Sequence, residues 1–145
     1  MNREIKFRIW ADNKFYNKCL VGNTNNTNDE KWTCPMVWLE KQKEWVHCDN
    51  GIICQYTGLH DKNGKEIYEG DIVLYQDWEM VYEGGGNDSF INKGIVEYCE
   101  DNCCFNVTER QTVDLADVLY KDNEDLEVIG NIYDNPELLG GMNGI

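Results

Sequence analysis

The sequence is poor in proline (two) and histidine (two), and its 13 Lys and Arg are outnumbered by 27 Asp and Glu. The shortage of positive charge leaves a net −14, which argues against a duplex-binding protein, whose surface must attract phosphate. No apolar run approaches the roughly 18–20 residues needed to cross a bilayer. The N-terminal residues up to Arg8 carry charges with no apolar stretch behind them, so no secretory signal is expected and the expected location is the cytoplasm. Phosphate-binding, dinucleotide-binding, nucleophile-elbow and zinc-protease motifs are all missing from the sequence.

What is present is enough to fold. At 41% hydrophobic and 12% aromatic, the chain is too rich in core formers to be a disordered acidic tail. Its length suits one ordinary domain or two very small ones. The charge is divided unevenly. Residues 1–60 hold 8 Lys and Arg against 7 Asp and Glu, a balance of +1, while residues 61–145 hold 5 against 20, a balance of −15. Four of the five tryptophans, Trp10, Trp32, Trp38 and Trp45, lie in the first part, and only Trp78 in the second. We therefore read 1–60 as a β-rich, Trp-rich N-terminal part and 61–145 as an acidic SH3-like barrel part, with one compact unit of both as the alternative.

Seven cysteines (Cys19, Cys34, Cys48, Cys54, Cys99, Cys103 and Cys104) raise the question of metal or disulfides. No Cys-x-x-Cys occurs. The nearest groupings, Cys99-x3-Cys103-Cys104 and His47-Cys48-x5-Cys54, lack the tight knuckle of tetrahedral zinc. An odd count without a secretory signal disfavours a disulfide framework. The expectation is reduced, mostly buried thiols packing as small hydrophobes, with no metal and no cofactor.

Short strands dominate the pattern. Residues 4–10 alternate, with Ile5, Phe7 and Ile9 on one face and Lys6 and Arg8 on the other, as a half-buried strand does. Asp12-Asn13-Lys14 reads as a turn leading to a return strand at Phe15-Tyr16. Residues 22–29 read as an exposed loop or a disordered insert. Residues 36–40 and 44–48 read as a hairpin, and Asp49-Asn50-Gly51 as a turn into a strand over 52–57. In the second part, Asp61 to Lys65 reads as a tight polar turn, 72–75 as a strand, and 84–88 as a glycine-rich loop. Residues 94–98 and 103–107 read as strands around an acidic turn. Residues 112–120 fit a short helix, 126–133 a final strand with a bulge or close approach at Gly130, and 135–139 a helical turn started by Pro136. The fold class is thus mainly β: a small SH3-like barrel in the C-terminal part, an N-terminal β-rich subdomain, and one or two short helices.

Three segments carry a more specific likeness. The stretch from Gln55 to Val73, with Tyr56-Thr57-Gly58-Leu59-His60-Asp61 and Tyr68-Glu69-Gly70-Asp71-Ile72-Val73, resembles the hallmark segment of the YopX-like family. Ile5-Lys6-Phe7-Arg8-Ile9-Trp10 resembles its N-terminal strand, and Glu127 to Leu139, with Gly130-Asn131-Ile132-Tyr133-Asp134-Asn135-Pro136, its C-terminal signature. Ala11 stands between Trp10 and Asp12 where the family has Trp followed directly by Asp, and is expected to shift the next turn by one residue. The resemblance implies a mainly-β fold with an SH3-like part and an origin in phages and prophages of Gram-positive bacteria. It implies no catalytic or binding residue.

The residues themselves point away from catalysis. His60-Asp61 and His47-Cys48 are consecutive, so their side chains diverge on a strand. Asp61-Lys62-Asn63-Gly64 imitates a calcium loop, but its glycine comes at the fourth position and Ile72 stands where the bidentate glutamate belongs. Carboxylate pairs such as Asp114 and Asp117 are expected by chance among 27 acids. The site expectation is therefore no catalytic, cofactor-binding or metal residue. The favoured function is a non-enzymatic protein-interaction module encoded by a phage or prophage, with a host or phage protein as partner. Tryptophan and tyrosine serve as interface anchors, so the N-terminal part is where partner capture or self-association is expected. The alternatives are an acidic DNA mimic that inhibits a host DNA-binding protein, a hydrolase using clustered carboxylates with Mg²⁺, and, more weakly, DNA contact through Arg3, Lys6 and Arg8.

Overall fold

The computed structural model describes residues 4–25, 31–33, 35–81, 86–101, 103–108, 113–114 and 125–140. Two compact units emerge, Met1–Tyr56 and Thr57–Ile145.

In the first unit, β1 (Phe7–Ala11) turns back into β2 (Lys14–Tyr16) with Ala11 opposite Lys14. The two connecting residues, Asp12 and Asn13, both have positive φ, 52° and 60°. This is the signature of the tight hairpin turn whose twist matches that of its strands, and Asp and Asn tolerate it better than other non-glycine residues. Lys14 is therefore already strand, not part of the turn. The other side of β1 pairs with β8 (Ile52–His60), Phe7 opposite Gln55 and Ile9 opposite Ile53. Ile9 and Cys54 are fully buried. Ile5 lies ahead of β1 and is 63% exposed, so the apolar face begins at Phe7 and not at Ile5.

A second sheet in this unit orders β3 (Cys19–Leu20), β6 (Met36–Leu39) and β7 (Glu44–His47). The expected hairpin of β6 and β7 closes through residues 40–43, with Lys43 at φ 54° and its N–H donating to Leu39 O. Between them, β4 (Asn23–Asn25) pairs with β5 (Lys31–Thr33), Thr24 opposite Trp32. Part of the expected exposed loop is thus a ladder, because polar side chains do not prevent backbone pairing; residues 26–29 lie outside the described residues.

The second unit starts within β8. Gly58 takes φ 87°, a kink only glycine adopts cheaply, which carries the strand three residues past the expected end at Thr57. Beside it runs β9 (Glu66–Tyr68), tied by the Thr57 hydroxyl donating to Ile67 O at 2.7 Å. The main sheet orders β13 (Val113–Asp114), β12 (Cys104–Thr108), β11 (Gly86–Cys99), β10 (Asp71–Val81) and β14 (Glu127–Asn131), all antiparallel. Its core gathers Ile67, Val73, Tyr75, Val96, Val107, Leu126 and Val128, with Leu59 and Phe105 against them. Ile72 and Val73 are both fully buried although adjacent. As strand neighbours they face opposite sides, Val73 into the main core and Ile72 outside that cluster; at the same rung β14 carries a bulge, with Gly130 opposite Ile72, Val128 opposite Val73 and Ile129 as the extra residue. Of the bulge or close approach expected at Gly130, the bulge falls one residue earlier and the close approach is at Gly130 itself, where an added Cβ would lie 2.5 Å from Asn135 Oδ1.

The class is mainly β. β13 and β14 stand at the two ends of the sheet order, so closure into an SH3-like barrel is not among the pairings of the described residues. Two expected features change. Residues 86–88 of the glycine-rich segment are strand, opposite Val81, Met80 and Glu79, because a glycine can extend a ladder its neighbour supports; residues 84–85 lie outside the described residues. The helix expected over 112–120 gives way at Val113 and Asp114, which pair with Val107 and Asn106; the exposed edge of β12 offers hydrogen bonds that override a local helical pattern. Residues 115–120 lie outside the described residues. Pro136–Leu139 forms the expected helical turn, a 3₁₀ helix with Pro at its start. Among the described residues no helix is long and apolar enough to cross a membrane.

Candidate functional site

In two of the family-like segments, side chains close turns by hydrogen-bonding backbone N–H groups. Asp61, 8% exposed, accepts with Oδ1 from the N–H groups of Asn63 (2.8 Å) and Lys65 (2.9 Å), closing the 61–65 turn. Its Oδ2 accepts from Val128 N–H at 2.9 Å, tying that turn to β14. Burial alone would raise this carboxyl, but the donors from Val128, Lys65 and Asn63, with the charge of Lys65, bring it below its ordinary value. The residue that imitates a calcium ligand or a catalytic acid is a backbone clamp, and His60 beside it points to the exposed side.

Asp71, 2% exposed, caps the next turn, its Oδ2 accepting from Tyr68 N–H at 2.8 Å. Between them Gly70 takes φ 86°, where a Cβ would lie 3.0 Å from the Tyr133 ring. Gly70 N–H donates to Val96 O, and Gly70 O accepts from Ile132 N–H. In the C-terminal signature, Asn131 Oδ1 accepts from Tyr133 and Asp134 N–H, and Asn135 Oδ1 accepts from Asn131 N–H. Gly130 leaves room for Asn135, whose Oδ1 would lie 2.5 Å from an added Cβ. Asp61, Asp71, Asn131 and Asn135 each accept from backbone N–H groups.

The remaining sequence candidates do not converge. His47 is exposed and Cys48 half-buried at the end of β7. Among the described residues no three His, Cys, Asp or Glu side chains group as a metal site requires. Asp114 lies in β13, while Asp117, Arg3 and Cys34 lie outside the described residues. Lys6 pairs with Glu4 at 3.3 Å and sits over the Tyr56 ring, and Arg8 sits over Phe15 at 3.8 Å. The thiols are free, yet among those described only Cys54 is buried and Cys103 is exposed. The expectation of mostly buried thiols is not met: Cys19, Cys48, Cys99 and Cys104 are half-buried, and Cys103, at φ 53° in the turn before β12, is exposed.

Aromatic residues pair within hairpins of both units. Three hairpins share one device, an edge-to-face pair one rung inside the turn. These are Trp10–Phe15 (4.8 Å), Trp38–Trp45 (5.4 Å) and Tyr98–Phe105 (5.5 Å between ring centroids). Each such pair stabilises its hairpin by about 0.5–1.5 kcal/mol beyond area burial. In the first unit, residues 14–18 and 38–42 face each other across a cleft of about 490 Å³. Lys14 lies over the Tyr16 ring at 4.7 Å and Lys18 over the Trp38 ring at 4.1 Å. Trp38 Nε1 donates to Glu40 Oε2 at 2.6 Å, and Glu40 also pairs with Lys43 at 3.6 Å. The tryptophan count pointed to this region; Lys18 gave no signal, because it meets the Trp38 ring only when the two stretches are brought face to face.

The comparisons agree with the geometry. The profile of a family described as YopX protein matches residues 6–140. A solved structure described as the crystal structure of protein EF1440 from Enterococcus faecalis is similar, with a TM-score of 0.56 at 24% identity. The alignment covers 95% of this chain and 99% of that one, and at this identity the likeness speaks for the fold alone. No curated protein matches the chain. Matched over nearly its whole length, the chain belongs to the YopX family.

Proposed function

We propose that the chain is a non-enzymatic protein-interaction module, an accessory protein encoded by a phage or prophage, and that it captures its partner in the cleft between residues 14–18 and 38–42. The observation that supports this reading is the composition of that cleft: Tyr16 and Trp38 present apolar rings with polar tips, and lysines and one carboxylate surround them. Such rings anchor interfaces because they bury large area with little loss of side-chain freedom. The buried carboxylates of the second unit, Asp61 and Asp71, are engaged with backbone N–H groups, so they hold turns and are not available as acid–base groups.

The test is affinity capture from host lysate with the tagged chain, run beside Trp38→Ala and, as a control away from the cleft, Ile91→Ser. Ile91 is 54% exposed in β11 of the second unit. A partner recovered by the wild type and by Ile91→Ser but lost with Trp38→Ala supports the cleft. A partner retained by Trp38→Ala refutes it. Circular dichroism of the variant confirms that the loss of the Trp38–Trp45 pair has not unfolded the hairpin.

A further inference from the structure

We infer that the occupant of this cleft is an acidic peptide segment, one that sets carboxylates beside apolar side chains. The inference rests on the interaction reading above and names the chemistry of its partner. Among the described lysines, Lys6, Lys43 and Lys62 each pair with a carboxylate. Lys14, Lys18 and Lys41 do not. Among the described residues no carboxylate pairs with any of the three, although all line one cleft.

Two of these ammonium groups are held in place. Lys14 and Lys18 lie against the Tyr16 and Trp38 rings at 4.7 and 4.1 Å, so their stems pack on aromatic surface while the charged heads stay at the rim. Holding a charge in position before binding lowers the ordering cost of capturing an anion. Glu40, the cleft's one carboxylate, is occupied by Trp38 Nε1 and Lys43. Among the described residues the cleft thus offers three cations without a carboxylate partner against one engaged anion, around apolar rings.

A single-stranded nucleic acid would also bring negative charge to aromatic rings, but two observations favour a peptide. Base stacking needs open ring faces, and a cation already covers one face of Phe15, Tyr16 and Trp38. A polyanion of regular charge density is also repelled at long range by a chain of net −14, whereas a short acidic peptide engages three local lysines within about one screening length of 8–10 Å.

The experiment is fluorescence anisotropy with a labelled six-residue peptide of alternating Glu and Leu, its Gln and Leu counterpart, and an oligo-dT of similar length. Each is titrated with wild type, K14Q/K18Q/K41Q, and the charge-keeping K14R/K18R/K41R. Binding of the acidic peptide that weakens about tenfold in the Gln variant, weakens with salt, and recovers in the Arg variant supports the inference. Equal affinity for the neutral peptide, or tighter binding of oligo-dT, overturns it. Sedimentation of wild type beside the Gln variant adds an independent readout: an oligomer that dissociates only in the Gln variant assigns the cleft to a second copy and overturns the peptide. Should the lysate partner be lost with Trp38→Ala yet retained by the Gln variant, the acidic occupant is refuted while the interaction reading stands. A partner indifferent to both variants removes the interaction reading itself.

Discussion

Replacing Asp61 by Asn tests whether this residue is a clamp and not a reactive acid. The carboxylate accepts three backbone N–H groups at 2.8, 2.9 and 2.9 Å. The Asn side chain keeps one acceptor oxygen for the Asn63 and Lys65 N–H groups, but turns an NH₂ toward Val128 N–H. One charge-assisted hydrogen bond is lost and a donor meets a donor at a buried position. A hydrogen bond to a charged group contributes about 1.5–3 kcal/mol, so the expected loss is about 2–3 kcal/mol. In a chain of this length that is a fall in Tm of roughly 5–10 °C. Asp61→Ala removes both acceptor oxygens, and with them all three hydrogen bonds, leaving Val128 N–H without its side-chain partner, for about 3–5 kcal/mol. The pH dependence carries the sign. The folded pKa lies below the ordinary value, so the carboxylate's contribution is full above the unfolded value of about 3.9 and is lost as pH falls through the folded pKa. Thermal melts at pH 7 and across pH 5 to 2 read both effects. Wild type should lose stability more steeply on acidification than Asp61→Asn, and the gap should narrow. Equal Tm at pH 7, or a gap unchanged at pH 2, refutes the clamp.

Other perturbations follow from the same geometry. Gly70→Ala forces a Cβ onto a residue at φ 86° and 3.0 Å from the Tyr133 ring, and urea melts should show a loss of about 1–3 kcal/mol. Gly130→Ala places its Cβ 2.5 Å from Asn135 Oδ1 and 2.9 Å from Leu138 Cδ1, so chemical shifts of the 3₁₀ turn should move with it; unchanged shifts would count against the close approach. Burial raises the Cys19 thiol, and burial with the charges of Asp12 and Asp49 raises Cys48. Mass spectrometry after brief iodoacetamide treatment at pH 7.5 should therefore find exposed Cys103 labelled ahead of Cys19 and Cys48, with buried Cys54 the slowest.

Much of this architecture was legible in residue order. Asp12-Asn13 marked the first hairpin because few residues accept positive φ in succession, and Pro136 marked the start of the last helical turn because its ring presets a helical φ. These are local constraints, and local constraints are written in neighbouring residues. The extents of strands were less legible. The ladder of β10 with β11 runs on to Val81 and Gly86, and Val113 and Asp114 join a sheet where their spacing suggested a helix. A strand's length depends on its partner, which sequence spacing does not name.

By itself the sequence determined the mainly-β class, the concentration of negative charge in residues 61–145, and the family likeness carried by three segments. Only the tertiary structure decided what the polar residues in those segments do. Asp61 and Val128 are 67 positions apart, and no spacing rule distinguishes a carboxylate aimed at a distant N–H from one aimed at a substrate. The same holds for Lys18 and Trp38, which meet only once the chain has folded their two stretches face to face. Composition counts charges and rings; their meeting in one cleft is a property of long-range contact.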